Sequence, residues 1–195
     1  QTPTPNSIYV CWHADKSTES KVEYGTTLSL SSIEMGDSYT FCNGSIWHSV
    51  QLTGLLPETT YYYRAVTDTN ISQIKRFKTP PQPGNSDGHI RFAVLGDTQQ
   101  NWATSTLVIN KMKEKLVELY GDDLESYLNC VIHLGDIIQN GNELGSYKTE
   151  YFSPIAPISG NVPFMVSIGN HEVDSDYYFH YMKYEDITVS NILLM

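Results

Sequence analysis

The sequence is poor in basic residues, in cysteine and in long apolar runs. It has 12 lysine and arginine residues against 22 aspartate and glutamate residues among 195, so the formal net charge is -10. A chain this acidic repels polyanions, which excludes binding of nucleic acid or of an anionic membrane through a basic patch. Hydrophobic residues make up 40% of the chain, as in a globular protein, but no run is long enough for a membrane span.

The three cysteines are an odd number and include no C-x-x-C pair, which excludes a zinc knuckle. Cys11 and Cys42 lie in the first half, where they either pair in an oxidising compartment or remain two buried free thiols. Gln1 opens directly onto polar sequence, so we expect neither a signal peptide nor the natural start in this chain. Because residues 191–195 also look like a strand cut short, we expect an internal fragment of a longer protein.

A turn-rich segment separates two halves that differ in periodicity. Residues 79–88 contain three prolines and two glycines among small polar residues, which is typical of a linker. Short alternating strands without helical stretches precede it, so we predict a β-sandwich over residues 1–80 and a linker over residues 81–88. The predicted strands are Ser7–His13, Lys21–Gly25, Trp47–Leu52, Tyr61–Val66 and Gln73–Lys78.

One segment of this half resembles a known motif. Leu55-Leu56-Pro57-Glu58-Thr59-Thr60-Tyr61 is similar to the Leu-x-Pro-x-Thr-x-Tyr corner of fibronectin type III domains. The resemblance implies that the hydroxyl of Tyr61 bonds back to nearby backbone, and that Trp12 is a core tryptophan on an early strand. The alternative is a generic sandwich with a tyrosine-rich strand.

In residues 89–195, apolar strands alternate with helices, which predicts a parallel sheet buried on both faces. A helix is predicted over Thr104–Tyr120. Glu143–Ile158 is predicted to be helix and then loop, broken by prolines. The predicted strands are Ile90–Leu95, Asn129–Leu134 and Val162–Ile168, the apolar helix positions are Val108, Met112, Leu116 and Leu119, and the prolines are Pro154 and Pro157.

All three of these strands end in a glycine followed by an oxygen-bearing side chain. These pairs are Gly96-Asp97, Gly135-Asp136 and Gly169-Asn170. Ligands of an open parallel sheet lie beyond the carboxyl ends of its strands, so the three side chains should converge on one edge. Hard oxygen ligands suit divalent or trivalent metals, and paired metals promote in-line displacement at phosphorus. Each pair alone is more often a simple turn.

Together and in this order, the motifs resemble those of the calcineurin-like metallophosphoesterases. Gly135–Gly141 fits the Gly-Asp-x-x-x-x-Gly block, and Gly169–Glu172 fits the Gly-Asn-His-Asp/Glu block. A fibronectin-like sandwich followed by such a domain resembles the purple acid phosphatases and their bacterial relatives. The resemblance therefore implies an all-β sandwich followed by the N-terminal half of an α/β metallophosphoesterase sandwich, incomplete at its C-terminal end.

The resemblance also implies a role for each motif residue in a centre of two divalent or trivalent ions of Fe, Zn or Mn. Asp97 would bind the first metal, Asp136 would bridge both, and Asn170 would bind the second through its side-chain oxygen. His171, oriented by Glu172, would contact the phosphoryl group and stabilise or protonate the leaving oxygen. A metal-bound hydroxide would attack the phosphate ester that is the substrate.

The chain departs from the family pattern at two donor positions and in its histidines. Family members carry a histidine two residues after the first aspartate, or a tyrosine three residues after the bridging one. This chain has Gln99 and Gln139 there, so Gln99 would be at best a weak amide ligand, and a purple ferric centre is disfavoured. The family's later Gly-His-x-His block is not found after His180, for which we predict a packing or surface role. His133 is predicted to be a core histidine. Without the later histidines, we expect this chain alone to bind metal poorly and to turn over little substrate.

Two classes of function therefore remain open. The first is a phosphatase or phosphodiesterase; the second is a cell-surface or secreted binding protein whose phosphoesterase domain is degenerate. A nuclease or protein phosphatase of the same superfamily is disfavoured by the sandwich and the acidic charge. The architecture predicts a secreted, periplasmic or cell-surface location, while the sequence leaves substrate and oligomeric state open.

Overall fold

The first half of the chain forms two antiparallel sheets around one apolar core. The computed structural model describes residues 1–14, 17–85 and 88–184. One sheet has the order β1-β5-β4, and the other has the order β3-β2-β6-β7, with β8 also paired to β6. The strands are β1 (Ile8–Ala14), β2 (Lys21–Gly25), β3 (Ser32–Met35), β4 (Asp37–Thr40), β5 (Ile46–Leu52), β6 (Thr60–Thr67), β7 (Asn70–Ile71) and β8 (Lys75–Lys78).

All five predicted strands of this half are present, and β3, β4 and β7 were missed. The side chains that β3 would contribute to an apolar pattern face solvent, since Ile33 is 60% exposed and Met35 is 55% exposed. β7 has only two residues. Short, polar strands of this kind are fixed by hydrogen bonds to their neighbours, which a hydrophobic pattern does not record.

The two side chains singled out in the sandwich differ in outcome. The backbone N–H of Leu56 donates to the Tyr61 hydroxyl at 2.9 Å, as expected of a tyrosine at this corner. Trp12, in contrast, is only half-buried, and its indole N–H donates to Thr67 Oγ1 at 2.9 Å. The tryptophan that is buried is Trp47, which is 4% exposed.

The second half contains a parallel sheet with the order β11-β10-β9. Its strands are β9 (Phe92–Leu95), β10 (Cys130–His133) and β11 (Phe164–Val166). The helices are α1 (Trp102–Tyr120), α2 (Leu124–Tyr127), α3 (Leu144–Ser146), α4 (Ser153–Ser159) and α5 (Asp176–Tyr181), and a π-helix spans Tyr147–Phe152. Asn101 caps α1 by accepting a hydrogen bond from the N–H of Thr104 at 3.2 Å, so the predicted helix is confirmed with a slightly earlier start.

The prediction that this sheet is buried on both faces is wrong for the described residues. Helices α1 and α4 pack on one face, while Phe92 and Val94 on the other face are 54% and 51% exposed. The apolar stripe of α1 is also narrower than predicted. Met112 and Leu116 pack against the core, whereas Val108 and Leu119 are 52% and 57% exposed.

The segment predicted as helix and then loop is helical almost throughout. The chain passes from α3 through the π-helix into α4 without leaving helical geometry. Pro154 lies near the start of α4 and Pro157 lies inside it, so both prolines fall within this continuous helical run. The prolines therefore did not break the helix, contrary to the prediction.

The two halves share a core. Phe41 and Trp47 of the sandwich lie in one buried cluster with Tyr147, Tyr151 and Tyr181 of the second half. Polar contacts also cross between the halves: the Tyr63 hydroxyl donates to the Gly160 carbonyl at 2.8 Å, and Arg76 Nε lies 2.5 Å from Glu125 Oε1.

The cysteines match neither alternative in full. Cys11 and Cys42 are free thiols, but Cys42 is exposed rather than buried.

His180 packs as predicted, stacked on Tyr39 with 3.5 Å between ring centroids. The predicted strand at residues 191–195 lies outside the described residues. Within the described ranges, no helix combines the length and the hydropathy that crossing a membrane requires.

Candidate active site

Three loops meet at the carboxyl edge of the parallel sheet. The strands are in register, with His133 opposite Leu95 on one side and opposite Val166 on the other, so the residues that follow them emerge side by side. The first two loops are joined by backbone hydrogen bonds from Thr98 N and Gln99 N to the Asp136 carbonyl, at 3.0 and 3.2 Å. The third loop is tied to the second because His171 N donates to Asp136 Oδ1 at 2.9 Å.

The two carboxylates leave their strands in an uncommon backbone conformation. Asp97 has a φ of 52° and Asp136 a φ of 53°, both in the left-handed region. Aspartate tolerates this region better than most residues, and such strain persists where the surroundings hold it, often at functional sites. Asp97 is exposed and Asp136 is half-buried, so both remain open to a ligand from solvent.

A close backbone approach holds the second and third loops together. A Cβ on Gly169 would lie 2.3 Å from Asp136 Oδ1 and 2.4 Å from the Asp136 backbone N. No side chain fits in that space, so the glycine of this motif is needed for the approach of the two loops.

Glu172 anchors these loops from beneath. Its side chain is fully buried, and its carboxylate accepts hydrogen bonds from Asp136 N at 3.0 Å, Ile137 N at 2.8 Å and Gly169 N at 2.6 Å. The expected contact in which Glu172 orients the His171 ring is not formed. Glu172 instead fixes the backbone that carries Asp136.

The His171 ring is held by the backbone of the second loop. Its Nδ1 lies 2.9 Å from the Gln139 carbonyl oxygen. A carbonyl oxygen can only accept, so Nδ1 carries the proton in this contact and Nε2 is the nitrogen left to meet a substrate. The Gln139 carbonyl therefore does the orienting that the sequence assigned to Glu172.

Glu150 on the π-helix contacts both carboxylate loops, and sequence reasoning missed it. Its Oε2 accepts from Gln100 N at 3.1 Å and from Gln139 N at 2.8 Å. Nothing in the sequence distinguishes Glu150 from any other glutamate on a helix. Gln139, in contrast, could be singled out from the sequence, because it stands three residues after Asp136, at the position of the family's tyrosine.

His133 lies in the core beneath the site, as predicted. It is fully buried, and its Nε2 is 2.9 Å from Thr98 Oγ1 in the first loop. Burial lowers the pKa of His133 to about 4, although the nearby carboxylates of Asp97 and Asp136 favour the charged form. The ring is thus neutral near pH 7.

Comparison with protein families gives both halves an identity. Residues 1–79 match the "Purple acid Phosphatase, N-terminal domain" family, and residues 90–193 match the "Calcineurin-like phosphoesterase" family. The chain belongs to the calcineurin-like phosphoesterase family. This agrees with the resemblance that the three strand-end motifs carry.

Similar proteins of this phosphoesterase family include acid phosphatases from fungi and plants. Acid phosphatase A of Cryphonectria parasitica is 29% identical over 88% of this chain and 40% of its own length. Purple acid phosphatase 15 of Arabidopsis thaliana is 30% identical over 66% of this chain and 26% of its own length. The chain thus spans well under half the length of these relatives.

The fold is also shared with a solved phosphatase. The structure of purple acid phosphatase PPD1 from yellow lupin (Lupinus luteus) seeds aligns with a TM-score of 0.66 at 21% identity. The alignment covers 88% of this chain and 34% of the lupin chain. This likeness supports the order of the two halves, a β-sandwich followed by an α/β domain.

Purple acid phosphatases depend on two metal ions, which need several donor side chains at one place. In residues 1–14, 17–85 and 88–184, no group of three or more His, Cys, Asp or Glu side chains is placed to hold a metal. Two amide side chains follow the carboxylates in the same loops, however. Gln99 Oε1 and Gln139 Oε1 are buried, and no described residue donates a hydrogen bond to either.

An unpaired buried acceptor costs about 1–3 kcal/mol, and a hard cation is one group that would satisfy it. The oxygen-rich edge therefore fits part of a metal centre.

Proposed function

We propose that the protein hydrolyses phosphate esters at a two-metal site on the carboxyl edge of its parallel sheet. The observation that carries the proposal is the joining of the loops of Asp97, Asp136 and Asn170 at one edge of a calcineurin-like phosphoesterase domain. Since the chain spans only part of its relatives, the remaining ligands would come from elsewhere in the natural protein. We also propose a secreted, periplasmic or cell-surface location, which rests on the architecture alone.

Hard oxygen donors would hold the ions, which we propose to be Fe, Zn or Mn. Asp97 would bind the first ion, Asp136 would bridge both and Asn170 would bind the second. The amide oxygens of Gln99 and Gln139 are buried without a donor, which favours them as further ligands. When bound, the cations would polarise the phosphoryl group and lower the pKa of the attacking water.

His171 would act on the substrate through Nε2, because its Nδ1–H is committed to the Gln139 carbonyl. Neutral His171 can accept a proton at Nε2, and only the doubly protonated ring can donate one to the leaving oxygen. Glu172 would act indirectly, since its three backbone hydrogen bonds hold the loop of Asp136 rather than the ring of His171.

Metal removal tests the proposal on the complete natural protein. A chelator followed by dialysis should abolish hydrolysis of p-nitrophenyl phosphate or bis(p-nitrophenyl) phosphate. Adding back Zn²⁺, Mn²⁺ or Fe²⁺ should restore hydrolysis, because the attacking water depends on the cations for its activation. The preferred substrate would separate a monoesterase from a diesterase. A protein that hydrolyses neither ester with any of these metals would instead fit the alternative function, a binding protein with a degenerate phosphoesterase domain.

A further inference from the structure

We propose that Glu150 is a positioning residue that sets the separation of the two carboxylate loops and the orientation of His171. The inference rests on the proposed function, because it concerns the same site. Glu150 would touch neither metal nor substrate. It would act through the backbone of residues 100 and 139.

A single oxygen of Glu150 joins the two loops. Oε2 accepts from Gln100 N at 3.1 Å and from Gln139 N at 2.8 Å. Gln100 stands three residues after Asp97, and Gln139 stands three residues after Asp136. The carboxylate therefore holds each loop at the same distance along the chain from its proposed metal ligand.

Glu150 takes over where direct pairing of the loops ends. Nearer the sheet, Thr98 N and Gln99 N donate directly to the Asp136 carbonyl. At the next residue the chain turns, because Gln100 has a φ of 64°, and its N–H reaches Glu150 instead. One acceptor oxygen thus serves both loops at the point where they no longer pair directly.

The same contact reaches His171. Glu150 holds residue 139 at its N–H, and the carbonyl of that residue accepts the His171 Nδ1–H at 2.9 Å. A shift of residue 139 would therefore move the His171 ring together with the loop. The spacing of the proposed metal ligands and the orientation of the His171 ring would therefore change together.

The helix that carries Glu150 is anchored on both sides of it. Tyr147 is fully buried and Tyr151 is 3% exposed, while Glu150 between them is half-buried and faces the loops. The segment is a π-helix, a rare turn that is frequent at functional sites. The carboxylate is thus presented from a fixed support.

Three substitutions in the complete natural protein separate the effect of the side chain's length from the effect of its charge. Glu150→Ala removes the acceptor, Glu150→Asp keeps the charge but is one methylene shorter, and Glu150→Gln keeps an oxygen at full length. The readouts are Mn²⁺ affinity by calorimetry, hydrogen exchange at the amides of residues 100 and 139, and kcat and KM for p-nitrophenyl phosphate. Glu114→Ala is the control, since Glu114 is 62% exposed on α1 and pairs with Lys111.

Glu150→Ala and Glu150→Asp should exchange these amides faster and bind Mn²⁺ about 10- to 100-fold more weakly, as expected when support of a metal ligand is lost. The kcat should fall more than KM changes, because His171 is displaced. Glu150→Gln should stay within about threefold of the wild type, as should Glu114→Ala. If Glu150→Ala does not fold, Glu150→Asp carries the test.

The outcomes also separate this inference from the proposed function. Wild-type exchange and Mn²⁺ affinity in Glu150→Asp would overturn the positioning role, even in an active enzyme. A Glu150→Gln variant as impaired as Glu150→Ala would overturn it as well, because charge rather than hydrogen bonding would then be responsible. Faster exchange and weaker Mn²⁺ binding in a protein without esterase activity would uphold the positioning role and refute the proposed function.

Discussion

At the scale of single residues, the site depends on side chains that bind backbone. Glu172 and Glu150 accept five N–H groups between them, and all five belong to the loops that carry the proposed ligands. The proposed ligands stand out in the sequence because a glycine followed by an oxygen donor ends each strand. The supporting glutamates were assigned wrongly or missed, because their partners are defined only by the folded loops.

Beneath these loops, His133 should make stability depend on pH. Its pKa is about 4 in the folded chain against an ordinary 6.5, so between these values the unfolded chain binds a proton that the folded chain does not. The stability it contributes is complete above pH 6.5 and falls by up to about 1.4 kcal/mol per pH unit as the pH drops toward 4.

His133→Gln should therefore lose less free energy of unfolding than the wild type between about pH 7 and about pH 4.5. Urea denaturation at the two pH values measures the difference. Equal losses in both proteins would show that His133 does not carry this pH dependence.

At the scale of elements, the loop after β10 depends on a backbone contact with no room for a side chain. The N–H of Gly141 donates to the His171 carbonyl at 2.9 Å, and a Cβ on Gly141 would lie 2.0 Å from the Glu172 carbonyl oxygen. The last glycine of the Gly-Asp-x-x-x-x-Gly block thus sets how closely the second and third loops approach.

Gly141→Ala should destabilise the protein by about 3 kcal/mol or more, because backbone rather than a flexible side chain must move. The matched control is Gly145→Ala in α3, where an added Cβ meets nothing within 4 Å. Guanidinium denaturation of both variants checks this. A Gly141→Ala variant as stable as Gly145→Ala would contradict the close approach.

Element types with strong apolar periodicity, such as β1 and α1, were predictable, and others were not. The π-helix and α4 form across Pro154 and Pro157 because buried tyrosines and isoleucines hold the segment against the sheet. A local rule that prolines end helices cannot weigh that packing. For β3 and β4, the deciding interactions are hydrogen bonds to neighbouring strands.

At the scale of the whole molecule, the two halves should unfold together. Trp47 of the sandwich lies 4.9 Å from the Tyr181 ring and 5.2 Å from the Phe152 ring, measured between centroids. The sequence predicted two modules and a linker and gave no sign of a shared core, since contacting residues lie more than a hundred positions apart. Pairing of distant apolar faces cannot be deduced from the period of either one.

Trp47→Ala should lower the free energy of unfolding by about 3–5 kcal/mol, because it leaves a cavity in the shared cluster. It should also lower the protection of both halves against hydrogen exchange. Hydrogen exchange of peptides from each half measures this. Trp102→Ala is the control, since Trp102 is 55% exposed, and it should leave both halves protected. Unchanged protection of the second half in Trp47→Ala would show that the halves are independent.

The most direct test of the central claim compares Asp136→Asn with Asp68→Asn in the complete natural protein. Both aspartates have a φ of 53°, and Asp68 lies in an exposed turn of the sandwich, so the two changes match in chemistry and backbone. Asparagine at residue 136 retains an oxygen for the His171 N–H but loses the charge that would bridge two cations. We predict that Asp136→Asn reduces phosphate-ester hydrolysis to background while Asp68→Asn keeps wild-type activity. Full activity in Asp136→Asn would contradict the proposed two-metal site.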